Sequence, residues 1–208
     1  LLQSQLEPIS TPQLVKRLER SFDVILDTET EQAYDRKYVM KTLLQCYEKH
    51  GSREVRIEKG ISVASHRLEA LLVELEAIPW PRTTRERPKI QAEYYMIIQK
   101  PGSGKVDSAR SKNETAKLNK YKTLYDLAVK TMAEVDPAFA ERFTALAVTK
   151  NFVGSPHIDT LNTGAFYGLS LGDFEGGGKI AVECSPFVVA HVETKGRLGK
   201  VDGRYPHW

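Results

Sequence analysis

The feature that most constrains this chain is the change of texture at about Ala145. From there, short β-branched and aromatic runs alternate with glycine turns. Ala147-Val148-Thr149, the segments 157–159 and 165–171, Ile180-Ala181-Val182 and the segment 187–192 each read as a strand. Between two of them lies Gly172-Asp173-Phe174-Glu175-Gly176-Gly177-Gly178, a turn whose glycines supply positive φ without steric cost. Short strands at this spacing predict a jelly-roll or cupin-like barrel, a sheet folded back on itself.

The first half has the opposite character. Thr11-Pro12 reads as a helix start, and Leu14, Leu18 and Phe22 recur at helical spacing. Asp35 is placed to cap a second helix bearing Tyr38, Leu43 and Tyr47. Ser62 is placed to cap a third, with Leu68, Leu71, Leu72 and Leu75 on its buried face and Pro79 at its end. Tyr94-Tyr95-Met96-Ile97-Ile98 reads as a strand, residues 101–113 as a loop, and residues 117–134 as one helix with a short one after Pro137. The fold class expected is α+β: a mainly helical N-terminal support over residues 1–90 and a double-stranded β-helix core over residues 91–208.

Composition excludes several classes. In 208 residues, 41% are hydrophobic and 27% charged, so an ordinary packed core can form. Two cysteines, Cys46 and Cys184, are too few for a disulfide framework and match no zinc spacing. With no apolar run of membrane-spanning length, an intracellular chain is expected, nuclear and cytoplasmic both remaining open, with no membrane partner. Oligomeric state is not legible. The net charge of +3 is unevenly spread: residues 100–122 hold seven basic side chains against Asp107 and Glu114. That segment is a candidate contact for DNA, with a solvated loop and helix face as the plainer reading. Pro101-Gly102-Ser103-Gly104-Lys105 lacks the first glycine and the Ser/Thr of a phosphate-binding loop.

The candidate chemistry begins at His157-Ile158-Asp159. Residues two apart on a strand share a face, so an imidazole and a carboxylate project side by side. They make two thirds of a 2-His-1-carboxylate triad, which leaves open positions on Fe(II). His191 and His207 are the histidines downstream. His207 is separated from Asp159 by enough strands to cross a barrel and return; His191 reads as a surface or supporting residue at the end of an apolar strand. Asn151, just before the ligand strand, is placed either to contact a co-substrate or to hold the turn. Cys184 reads by default as a small buried residue.

The run NFVGSPHIDTLNTGAFYGLSLGDFEGGGKIAVE, with GRYPHW further on, resembles the Fe(II)/2-oxoglutarate dioxygenase superfamily. It is most similar to the TET/JBP-type branch and its algal and protist relatives. The resemblance covers about the last third of the chain. It implies His157, Asp159 and His207 as iron ligands and Asn162 as a pocket residue for co-substrate or base. It implies Fe(II) and 2-oxoglutarate as cofactors, with ascorbate as the alternative found in some algal relatives. The activity implied is hydroxylation of a C–H bond, the methyl group of 5-methylcytosine or thymine in DNA being one substrate. A protein side chain or small metabolite is the alternative substrate, and a non-catalytic cupin-like binding or scaffold domain the alternative role. The family's basic anchor for 2-oxoglutarate follows the distal histidine by about ten positions. This chain stops one residue past His207, so that anchor and the final strand are expected to be missing from it.

Overall fold

The computed structural model describes residues 2–26, 35–50, 53–80, 91–100 and 108–208. In chain order the elements are α1 (Leu2–Leu6), α2 (Thr11–Phe22), α3 (Arg36–His50), β1 (Glu54–Lys59), β2 (Ile61–Ser62), α4 (Ser65–Glu76) and β3 (Tyr94–Gln99). There follow α5 (Ser108–Lys120), α6 (Lys122–Val135), α7 (Pro137–Arg142), β4 (Ala145–Lys150), β5 (Phe166–Gly168), β6 (Lys179–Ser185), β7 (Val188–Glu193) and β8 (Arg197–Val201). The class is α+β, with small sheets and no closed barrel among the described residues. Two compact units form. One comprises residues 1–60, 155–170 and 175–208; the other, residues 61–154 and 171–174. These units are drawn differently from a division at residue 90, because the chain leaves the first unit after Gly60 and returns to it at Ser155.

In the first unit, helices α1 to α3 share one core. Leu6, Leu14, Leu18, Val39 and Leu43 are fully buried, and Phe22 and Tyr47 close the cluster. Ser10 caps α2, one residue before the expected Thr11; its N–H donates to the Gln13 side chain at 3.2 Å. Asp35 starts α3 as expected, accepting from the Lys37 N–H at 2.9 Å. Phe187, in the turn between β6 and β7, packs its ring edge-on to Phe22 at 5.3 Å, which attaches the helices to the sheet. That sheet has the order β1-β7-β6, β1 running parallel to β7 and β6 antiparallel to it. Strand β5 pairs antiparallel with β8.

Ile180 and Val182 of β6 join Val192, Val201 and Phe166 in a second apolar cluster on one face of the sheet. Strand side chains alternate in direction, so Ala181 and Glu183 face the other way.

The second unit pairs β3 with β4 antiparallel, setting Met96 opposite Val148. Both are buried, as is Ile98. Helix α4 packs on α6, and α6 on α7, with Leu71, Leu124 and Met132 buried. Asp136 caps α7 through the Phe139 N–H at 2.9 Å. Tyr125 is packed rather than presented, its ring 5.9 Å from that of Phe143. Trp80 stacks on Tyr94 at 5.3 Å.

Several local expectations need correction. Strands β1, β2 and β8 lie where none was predicted, and the segment 157–159, expected as a strand, makes only an isolated bridge from His157 to His207, because the chain turns at once at Thr160. Ser62 belongs to β2, and the N-cap of α4 is Ala64. Of the loop expected over residues 101–113, residues 101–107 lie outside the described residues and the remainder is the start of α5. The helix expected over residues 117–134 is two helices that meet at Tyr121. Cys184 is exposed.

Candidate metal centre

His157 and His207 are joined backbone to backbone. The N–H of each donates to the carbonyl of the other, at 2.9 and 3.0 Å. His207 also bridges to Val182 of β6, so the strand that builds the apolar cluster also sets the distal histidine. Asp159 is fixed by its N–H, which donates to the Gly203 carbonyl at 2.8 Å. These pairings bring three ligand-type side chains from distant stretches of sequence to one point, with their ligating atoms all within 4.8 Å of one another.

The Nε2 atoms of His157 and His207 lie 3.6 and 3.7 Å from the two carboxylate oxygens of Asp159. Donors held about 2.1 Å from a common ion stand roughly 3.0 to 3.6 Å apart at angles of 90 to 120°. The two contacts to Asp159 are close to that range but reach different carboxylate oxygens, and with one ligating atom per residue the set spans up to 4.8 Å, so the side chains must draw together to close on a first-row divalent metal.

The imidazole tautomers are set by their second nitrogens. His157 Nδ1 lies 2.6 Å from the Ser155 carbonyl, and His207 Nδ1 lies 3.0 Å from the Tyr205 carbonyl. A carbonyl oxygen can only accept, so each Nδ1 carries a proton, and each Nε2 is the nitrogen turned to the site. Burial pushes the His207 imidazole below its ordinary pKa, and the neighbouring His157 pushes it the same way; the Tyr205 carbonyl and Asp159 oppose this. The neutral, ligating form is favoured.

Access is one-sided. The His207 side chain is 4% exposed, against 43% for His157 and 31% for Asp159. The Phe166 ring stands 5.6 Å from the His207 ring and closes the inner side.

Asn162, expected as a pocket residue, donates its amide to Asp159 Oδ2 at 2.9 Å. It orients the carboxylate, leaving Oδ1 free of that hydrogen bond. Gly203 makes this possible: a Cβ there would fall 2.7 Å from Asp159 Oδ2 and 2.8 Å from Asn162 Nδ2. Sequence reasoning missed Gly203, although its place four residues before His207 marks a close approach. Asn151 lies in the second unit, at positive φ just past β4, with its amide donating to Glu93 at 2.7 Å. Its side chain is committed to that turn. His191 sits on β7, paired with Ala181 and outside the triad.

Two imidazoles and one carboxylate, close together, define a candidate metal centre. No protein-family model, no curated protein and no solved structure matches this chain.

Proposed function

We propose that this chain carries the metal centre of an Fe(II)-dependent dioxygenase that uses 2-oxoglutarate to hydroxylate a C–H bond, on a double-stranded β-helix core. The observation that carries this reading is the meeting of His157, Asp159 and His207 at one point, with both Nδ1 atoms held by carbonyls and both Nε2 atoms turned to the carboxylate of Asp159.

His157, Asp159 and His207 would hold the ion by one face, and the donor set fits it. Iron bound in this way supplies oxygen activation by two-electron oxidation of a co-substrate. The chain's own residues supply the rest. The partly open side at His157 and Asp159 admits co-substrate and substrate. Phe166 and the cluster of Val182, Val192 and Val201 keep water from the inner side. Asn162 holds Asp159 in one orientation.

Anaerobic titration with Fe(II) and 2-oxoglutarate tests this. A charge-transfer absorption band that disappears in Asp159→Ala is the expected result. Iron binding without the band makes ascorbate the co-substrate to try. Absence of iron binding overturns the reading and leaves a non-catalytic scaffold domain.

The substrate we would try first is DNA bearing methylated pyrimidine. Lys112 and Lys120 on α5 are exposed, in keeping with a phosphate contact. Affinity for such DNA should fall steeply with salt, roughly in proportion to the phosphates contacted. Turnover without DNA affinity would redirect the search to a protein side chain or small metabolite. No helix among the described residues is long and apolar enough to cross a membrane.

A further inference from the structure

We infer that Glu183 is a positioning residue for His207 and that the N-terminal helices act on the metal centre through it. This rests on the reading of His157, Asp159 and His207 as ligands.

Glu183 is 3% exposed, on the face of β6 opposite the apolar cluster. Two arginines converge on it. Arg17 from α2 pairs with Oε1, and Arg53, just before β1, brings Nη2 to 2.5 Å from Oε2. Arg17 also reaches the Tyr47 hydroxyl of α3 at 3.5 Å, and Arg53 donates to Gln5 of α1 at 2.5 Å. Helix α2 thus reaches the carboxylate directly, and α1 and α3 hold the two arginines that pair with it.

The backbone of the same strand holds the distal ligand. The N–H of Glu183 donates to the Pro206 carbonyl at 2.9 Å. Ala181 and Trp208 exchange a pair of hydrogen bonds at 2.9 and 3.0 Å. These bonds bracket His207 on both sides.

A strand that slips by one residue turns every side chain to the other face. In β6 such a slip would put Val182 between two buried guanidinium groups and Glu183 into the apolar cluster. The arginine pair therefore selects one register of β6, and that register places His207 against His157 and Asp159. Stability alone does not account for the cluster. Two cations share one anion, Arg53 Nε is buried with no acceptor among the described residues, and the Arg53–Glu183 contact is ionic without an aligned hydrogen bond. Apolar side chains of similar volume would serve a core at least as well.

The test uses two variants of the full chain, Glu183→Gln and the triple apolar replacement Arg17→Met, Arg53→Met, Glu183→Leu. The first readout needs no metal: the nuclear Overhauser contact between the rings of His157 and His207, whose centroids lie 4.2 Å apart. The second is Co(II) affinity from its absorption spectrum. The triple variant should match or exceed the parent in urea resistance. It should nonetheless lose the ring contact and bind Co(II) roughly tenfold more weakly, the scale seen when a ligand's support is removed; Glu183→Gln should share both losses. An unchanged ring contact in the triple variant overturns the proposal whatever the metal does, as does a triple variant weaker in urea than the parent. If the ring contact depends on the clamp while the parent binds no Co(II), the positioning stands and the metal reading fails.

Discussion

At the scale of single residues, the centre depends on which atoms are held and which are left free. Gly203→Ala would drive a methyl group into Asp159 and Asn162 at contacts no side chain tolerates. Divalent metal affinity should drop by roughly 10- to 100-fold, with the circular dichroism spectrum unchanged. Calorimetric titration measures this, and undiminished affinity would mean that Asp159 is not a ligand. His207 carries a separate expectation. Its folded pKa lies below the ordinary 6.5, so the unfolded chain takes up that proton first as pH falls. Its contribution to the stability of the metal-free protein is complete above about pH 6.5 and is lost as pH falls toward the folded value. Urea midpoints across that range should decline more in the parent than in His207→Asn; equal slopes would show that burial does not hold this imidazole neutral.

Among the elements, the helices were the most legible in the sequence and the strands the least. Leu14, Leu18 and Phe22 repeat with the helical period, and each is buried where that period places it. Leu43→Ala, at a fully buried site in α3, should therefore cost about 2 to 5 kcal/mol in urea unfolding. Strand β1 escaped notice because Glu54-Val-Arg-Ile-Glu-Lys59 is exposed along its whole length. Val55 and Ile57 do alternate with charged residues, but the run is short, and parallel pairing with β7, more than a hundred residues later, makes it a strand. Strand β8 escaped for a related reason. Its Gly199 is a poor strand former but sits opposite Gly168, where a side chain would strike Thr194 and Val192. Ser62 misled because a serine before an apolar run imitates a cap, while Ala64 lacks the side-chain oxygen that would have marked the true start of α4.

For the molecule as a whole, the metal centre should report on folding. An ion that binds the native state alone stabilises it by mass action, by about 2.7 kcal/mol at a free concentration a hundred times Kd. Fe(II) under anaerobic conditions, or Co(II), should raise Tm, and a chelator should reverse the gain. Asp159→Ala should abolish the shift, and a shift that survives this change would place the ion elsewhere. The proposed ligands come from the segment 157–159 and from His207, so a single cooperative transition should carry both metal release and unfolding of the first unit.

The sequence by itself determined the helical stripes, the glycine turn with its positive φ at Gly172, Gly177 and Gly178, and the His-x-Asp pair, because each is encoded by residues close together in the chain. It also narrowed the third ligand to two histidines. Only the tertiary structure brings one of them, His207, to the His157–Asp159 pair, through its backbone exchange with His157 and its bridge to Val182. It alone turned Asn162 toward Asp159, spent Asn151 on Glu93 and set two arginines around Glu183. These are contacts between stretches far apart in sequence or choices among side-chain directions. Local periodicity carries no information about either, since both are settled by which backbones pair and which polar groups must then be satisfied.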